Sequence, residues 1–85
     1  MNKIKVHLKR AVREVRIHTE YITLTQFLKF SGAAESGGMA DEAIRGGEIL
    51  VNGEVCTMRG KKLRGGEVIS AFGELYKVLS CENPD

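Results

Sequence analysis

The sequence has 85 residues, which is enough for one domain with a small hydrophobic core. Hydrophobic residues make up 42% of the chain and charged residues 28%, and no apolar run is long enough for a transmembrane helix. The aromatic content of 6%, without tryptophan, argues against a large apolar ligand pocket.

Positive charge is concentrated in two places, although the net charge is only +2 at pH 7. Residues 1–20 contain six basic and two acidic residues, whereas residues 21–85 contain seven basic and nine acidic residues. Within this acidic remainder four basic residues stand close together: Arg59, Lys61, Lys62 and Arg64. The cluster is therefore a focused positive patch and not part of a general basic background.

The first segment, residues 3–12, has more than one interpretation. Its apolar residues alternate as in a strand, and they also fit one face of a helix. A basic amphipathic helix could lie on RNA or on an anionic membrane, and the alternative is a solvated extension. We assign residues 1–12 to a basic N-terminal extension, residues 13–80 to a single domain and residues 81–85 to a polar tail.

The two cysteines and the N-terminus bear on the cellular compartment. Cys56 and Cys81 form no CxxC motif and have no histidine at metal-ligand spacing, so we expect reduced thiols and no metal site. The N-terminus lacks the continuous apolar stretch of a secretory signal. We therefore expect a cytoplasmic protein.

A short strand and a first helix are predicted next. Alternating β-branched residues favour a strand around residues 14–18. Thr23 or Thr25 can cap the helix that follows, and Gly32 ends it. The predicted core residues of this helix are Leu24, Phe27 and Leu28.

A second helix is predicted over residues 39–45, opened by residues 36–38 and stopped by two glycines at 46–47. Asp41 and Glu42 are placed in its first turn, where the helix dipole favours acidic residues. Small apolar residues at i, i+3 and i+4 allow close packing on the first helix: Ala40, Ala43 and Ile44.

The rest of the chain predicts strands. Asn52-Gly53 between the apolar runs 49–51 and 54–56 is a strong hairpin signal, because a type I′ turn needs positive φ at both central residues. A polar, basic connection over residues 57–62 and a turn at 64–67 come next. The last two strands are predicted at 68–72 and 75–79, joined by a tight turn at Gly73-Glu74. This order favours an α+β fold with two short packed helices on a small, mostly antiparallel, twisted sheet.

Catalysis has little support in the sequence. His7 and His18 both fall in the N-terminal segment, and no Ser-His-Asp set is evident. Gly60-Lys61 lacks the upstream glycine spacing of a phosphate-binding loop, and Lys62 stands where that loop needs Ser or Thr. We therefore predict a protein that is not an enzyme and has no cofactor.

Nucleic-acid binding has better support. Ser36, Gly37 and Gly38 precede a helix and expose backbone N–H groups suited to an anion. The hairpin places Asn52 at a tip, and the cluster from Arg59 to Arg64 follows within a few residues. If the hairpin folds back beside the second helix, these groups form one positive face suited to phosphates. The alternative is that the glycines serve turns only and the basic residues serve solubility.

A family resemblance favours the first of these interpretations. The pattern Gly32…Ser36…Ala40…Ala43-Ile44…Gly47…Ile49…Val51-Asn52-Gly53 resembles the S-four domain, the RNA-binding domain named after ribosomal small-subunit protein four. The segments at 22–29, 36–40 and 59–63 resemble its small stand-alone bacterial branch.

The resemblance implies an αL fold, structured RNA (often ribosomal RNA) as ligand, and no catalysis by this module. Carried over from the family, the RNA-contacting positions are Ser36, Gly37, Gly38, Arg45, Asn52, Arg59, Lys61 and Lys62. One position departs from the family, which commonly has a basic residue directly after the serine. Gly37 stands there, and Asp41 adds negative charge to the helix, so we expect backbone N–H groups and the basic cluster to matter more than the helix face.

The functional prediction is a monomeric, ribosome-associated protein, acting in ribosome assembly or translation, that binds structured RNA by shape and phosphate. The alternative is a protein-interaction module that docks on a ribosomal or RNA-processing protein through its helix pair. We expect no membrane partner.

Overall fold

The computed structural model describes residues 11–81, and the interpretations of residues 3–12 lie almost entirely outside them. Two helices pack against a five-stranded sheet with the order β1-β7-β6-β3-β4, and a two-stranded ribbon pairs β2 with β5. The elements are β1 Val12–Arg16, β2 Ile22–Thr23, α1 Leu24–Phe30, α2 Gly37–Arg45, β3 Leu50–Val51, β4 Glu54–Val55, β5 Lys62–Leu63, β6 Val68–Ala71 and β7 Glu74–Leu79.

The five-stranded sheet is mostly antiparallel, as predicted, and its one parallel pair is β1 with β7. β1 pairs over Val12↔Leu75 to Arg16↔Leu79, so it begins and ends two residues before the predicted strand at 14–18. The partner strand explains this shift, because β7 ends at Leu79. After the last pair, Arg16↔Leu79, the Ile17 N–H still donates a hydrogen bond to the Leu79 carbonyl at 3.0 Å.

The first helix begins where the sequence predicts. Thr23 is its N-cap, and a capping box joins Thr23 and Gln26, so Thr23 and not Thr25 caps it. Three of its residues are fully buried: Leu24, Phe27 and Leu28. The helix ends before Gly32, whose φ of +85° is accessible to glycine without strain.

The second helix begins at Gly37, two residues earlier than predicted. The Ser36 hydroxyl accepts a hydrogen bond from the Met39 N–H at 3.1 Å, which fixes Ser36 as the N-cap. The prediction that Asp41 and Glu42 stand in the first turn is therefore wrong, because that turn holds two glycines and a methionine. The helix ends at Gly46, as expected.

Both hairpin turns use the left-handed region of φ. Asn52 and Gly53 have φ of +52° and +84°, which confirms the predicted turn between β3 and β4. The turn between β6 and β7 centres on Phe72 and Gly73, with φ of +50° and +79°, and not on Gly73-Glu74. Glu74 instead pairs with Ala71 and starts β7.

The ribbon of β2 and β5 was not predicted. Residues 57–62 were interpreted as a connection, but Lys62 and Leu63 pair antiparallel with Thr23 and Ile22. Two residues are too few to show a period of two in the sequence. The ribbon matters to the site because its pairing sets which way the side chains of β2 and β5 face.

The core lies between the helices and one face of the large sheet. It joins residues of both helices to Ile49, Leu63, Ile69, Tyr76 and Val78, and the Phe27 ring packs edge-on to Tyr76 at a centroid distance of 6.3 Å. Between residues 11 and 81, neither helix is long and apolar enough to cross a membrane. The α+β class with two packed helices is confirmed.

Candidate nucleic-acid interface

The start of α2 exposes backbone donors, as predicted for Ser36, Gly37 and Gly38. The Ser36 hydroxyl accepts a hydrogen bond from the Met39 N–H, and the Ser36 carbonyl accepts one from the Ala40 N–H at 3.1 Å. The hydrogen bonds found within residues 11–81 use neither the Gly37 nor the Gly38 N–H, so both can donate to a ligand.

A cationic side chain from the other helix passes the same helix end. The Cδ atom of Lys29 lies 3.7 Å from the position that a Cβ on Gly37 would occupy. Lys29 therefore brings its aliphatic stem to the position after the serine, where the resemblance led us to expect a basic residue. Lys29 was not among the predicted contact residues, although the α1 helix assignment alone places it in the last turn.

Residues 57–61, here called the basic loop, are anchored on the first turn of α1. The Leu24 N–H donates to the Lys61 carbonyl at 2.8 Å, and the Thr25 N–H donates to the Arg59 carbonyl at 3.1 Å. N–H groups in the first turn of a helix have no acceptor within the helix. The loop carbonyls supply the acceptors that water would otherwise provide at the start of α1. The anchoring leaves the side chains of the loop free to face outward while its backbone is held.

Asp41 connects the basic loop to both helices. Its carboxylate accepts from the Thr25 hydroxyl at 2.8 Å and forms an ion pair with Arg59. The Thr25 hydrogen bond lowers the pKa of the Asp41 carboxyl most, and the adjacent Arg59 and more distant Arg45 lower it further against the opposing effect of partial burial. Asp41 is thus a positioning residue that holds Arg59 beside α2.

Replacing Asp41 by asparagine is expected to lower stability near neutral pH and to flatten its acid dependence. The folded-state pKa of Asp41 lies below its ordinary value of 3.8, so between these values the unfolded chain binds more protons than the folded one. The stabilisation is complete above 3.8 and is lost as the pH falls through the lowered folded value.

Urea unfolding midpoints from about pH 6 to about pH 2 measure this difference. The gap between wild type and Asp41→Asn should close on acidification. Glu42→Gln removes an exposed carboxylate from the same helix and serves as the control. A gap that stays constant down to the lowest pH would contradict the assigned role of Asp41.

Asn52 and Lys61 line one shallow groove between the β3–β4 hairpin and the basic loop, together with Glu54 and Glu67. Asn52 also has a structural role, because its side-chain oxygen accepts from the Val68 N–H at 2.9 Å and its own N–H donates to the Val68 carbonyl at 2.8 Å. Only the amide NH₂ group of Asn52 is then available to donate to a ligand.

Lys62 does not line this groove and lies on the ribbon instead. Its ammonium group lies 4.7 Å from the centre of the Tyr21 ring, and the Arg64 guanidinium lies 5.4 Å from the same ring. Arg64 was predicted as part of the basic cluster but not among the eight contact residues, and Tyr21 was not predicted at all. Register is the missing signal, because β5 must pair with β2 before Tyr21 comes beside Arg64.

The nominated residues therefore fall in three places. Ser36, Gly37, Gly38, Arg45 and Arg59 lie on or beside α2, with Arg45 at its far end. Asn52 and Lys61 share the hairpin groove, and Lys62 lies on the ribbon.

Within residues 11–81 no group of three His, Cys, Asp or Glu side chains could hold a metal ion.

Comparison with known proteins places this fold and surface in a family. A profile of the S4 domain matches residues 15–79, so the chain belongs to the S4 domain family, the S-four family that its motifs resemble. The S4 domain is an RNA-binding domain.

Two curated bacterial proteins are similar in sequence. The chain is 46% identical over 59 residues to the probable ribosome maturation protein RlbA of Bacillus subtilis, covering 69% of this chain and 83% of RlbA. It is 33% identical over 60 residues to the putative RNA-binding protein YbcJ of Escherichia coli, covering 71% of this chain and 86% of YbcJ.

The fold is also similar to a solved structure. The solution structure of E. coli YbcJ, described as having an αL motif involved in RNA binding, superimposes with a TM-score of 0.58 at 28% identity. The match covers 94% of this chain and 96% of YbcJ. The predicted family and the αL fold are confirmed.

Proposed function

We propose that this protein binds structured RNA and has no catalytic activity of its own. The observation that carries the proposal is the S4 domain match combined with a basic loop whose backbone is anchored on α1. A loop held in this way presents its cations without a large ordering cost on binding.

The RNA contacts are assigned to the eight nominated residues in their three places. The Gly37 and Gly38 N–H groups, with Lys29 beside them, suit a phosphate at the start of α2. Arg59 and Arg45 extend this surface along α2, while Lys61 and the Asn52 amide serve the hairpin groove. Lys62 contacts the RNA from the ribbon. The 65% exposure of the Arg59 side chain leaves room for a phosphate even while Asp41 is paired.

The similarity to a probable ribosome maturation protein supports a role in ribosome assembly, with ribosomal RNA as the ligand. A cytoplasmic location and a monomeric state belong to the same proposal. The division into a domain at residues 13–80 with flanking segments remains a prediction.

A binding titration tests the proposal. The full chain is titrated against an RNA stem-loop, the duplex DNA of the same sequence and a single-stranded RNA, each at two salt concentrations. Tight binding that weakens with salt and prefers the stem-loop is the expected result. Equal, weak binding to all three would show only a generic attraction to polyanions and would contradict the proposal.

A protein contact is the second candidate function, and one observation favours it. An open, mainly apolar groove runs between the end of β1 and α1, lined among others by Ile17, His18 and Phe30. Phe30 is 52% exposed, and its ring packs edge-on to His18. Pull-downs with and without nuclease distinguish the two functions, since a partner bound through this groove survives nuclease whereas one bridged by RNA does not.

A further inference from the structure

The outer face of the ribbon combines one exposed aromatic ring with two cations. Ile22 and Leu63 pair across the ribbon, and Leu63 is fully buried, so both face the core. Because side chains alternate along a strand, Tyr21, Lys62 and Arg64 face outward together. Tyr21 is 38% exposed, and both cations lie near its ring.

This face is held rigidly from below. The buried Leu63 anchors the strand between the two cations. The backbone N–H of Arg64 donates to the Glu67 carboxylate at 3.0 Å, and the same carboxylate accepts from Gly65 at 2.8 Å. The backbone that carries the ring and the two cations is therefore held in place before any ligand binds.

The three groups match the parts of one nucleotide. An aromatic ring stacks on a base, and cations pair with phosphates. Lys62 and Arg64 are two residues apart on an extended strand, about 6.6 Å, so they can reach the phosphates on either side of one nucleotide. We propose that this face binds one unpaired nucleotide of the RNA, with its base on Tyr21 and its flanking phosphates on Lys62 and Arg64.

The base must be unpaired, because both faces of a base inside a helix are covered by its neighbours. In the free protein the cations are attracted to the ring only weakly, as is usual at exposed sites, so phosphates can draw them away and leave the ring to the base. The inference rests on the proposed RNA binding and names the element of RNA structure that the ribbon selects.

The first test compares wild type, Tyr21→Phe and Tyr21→Leu on an RNA duplex with one bulged adenosine and on the same duplex without the bulge. Tyr21→Leu is expected to weaken binding to the bulged duplex about 5- to 30-fold, whereas Tyr21→Phe stays within about twofold. On the fully paired duplex all three proteins should bind alike. Equal melting temperatures of the three proteins exclude a folding effect.

Salt dependence separates the ring from the cations. Tyr21→Leu removes no charge and should leave the salt slope unchanged. Lys62→Gln and Arg64→Gln should each reduce the slope of log K against log salt by about 0.7–0.9. A second readout replaces the bulged adenosine by 2-aminopurine, whose fluorescence should fall on binding wild type and Tyr21→Phe but not Tyr21→Leu.

The outcomes are distinguishable. If Tyr21→Leu binds the bulged duplex as well as wild type does and still quenches 2-aminopurine, the stacking proposal is overturned while RNA binding stands. If wild type binds neither duplex, the proposed function fails and this inference fails with it.

Discussion

Gly65→Ala is expected to destabilise the protein by about 2–4 kcal/mol, lowering the melting temperature by about 10–20 °C. Gly65 has φ of +140°, a conformation that side chains rarely adopt. A Cβ added there would lie 2.6 Å from the Ser80 Cβ and 3.0 Å from the Ser80 backbone nitrogen. The backbone must move, and with it the Ser80 carbonyl that accepts from Arg16 at 2.6 Å.

Two further variants show whether contact or backbone strain is responsible. Gly66 also has positive φ, +94°, but a Cβ there meets nothing within 4 Å, so Gly66→Ala measures the strain alone at about 1–2 kcal/mol. Ser80→Gly in the Gly65→Ala background removes the closest clash and should restore part of the loss. Thermal melting of wild type and these three variants measures the differences in stability. Equal melting temperatures for Gly65→Ala and Gly66→Ala would contradict the close approach of Gly65 to Ser80.

The double variant Lys61→Ala/Lys62→Ala is expected to weaken RNA binding about 25- to 60-fold at about 0.1 M salt. Each lysine that contacts a phosphate contributes about 0.7–0.9 to the slope of log K against log salt, so the slope should fall by about 1.4–1.8. The structure places the two lysines on different surfaces, the hairpin groove and the ribbon. The single variants should therefore act additively.

A matched control removes the same charge elsewhere. Arg13 on β1 and Lys77 on β7 lie at the opposite edge of the sheet from the β3–β4 hairpin. Arg13→Ala/Lys77→Ala changes the net charge equally and should leave the slope within about 0.5 of the wild-type value. Titration of an RNA stem-loop over a range of salt concentrations gives all three slopes. An unchanged slope in the lysine double variant would remove both residues from the interface.

Local signals in the sequence were sufficient for much of this fold. Thr23 and Ser36 are cap residues, and Asn52-Gly53 is a turn dipeptide, so the elements beside them could be assigned from neighbours within four residues. The errors concern boundaries. The start of α2 was placed after Gly38 because glycines suggest a loop, whereas the Ser36 hydroxyl stabilises the helix from Gly37 onward.

Long-range pairing decided what local signals could not. Nothing near Lys62 shows that it pairs with Thr23, and the two are far apart in the chain. The same holds for Asp41, which looks like an unfavourable charge beside a phosphate site until Thr25 and Arg59 are placed against it. In both cases a contact between distant residues changes the role of a side chain.

The sequence by itself determined the two helices and the hairpin, because these depend on caps and turns within short segments. Its motifs also resemble the S4 family, and that resemblance implied the class of ligand. Only the tertiary structure decided how the basic residues are divided among α2, the hairpin groove and the ribbon. The physical reason is that Lys62 belongs to β5, where pairing with β2 sets the side that it faces, whereas Lys61 belongs to the loop before this strand. That pairing also brings Tyr21 to the two cations, which no local pattern indicates.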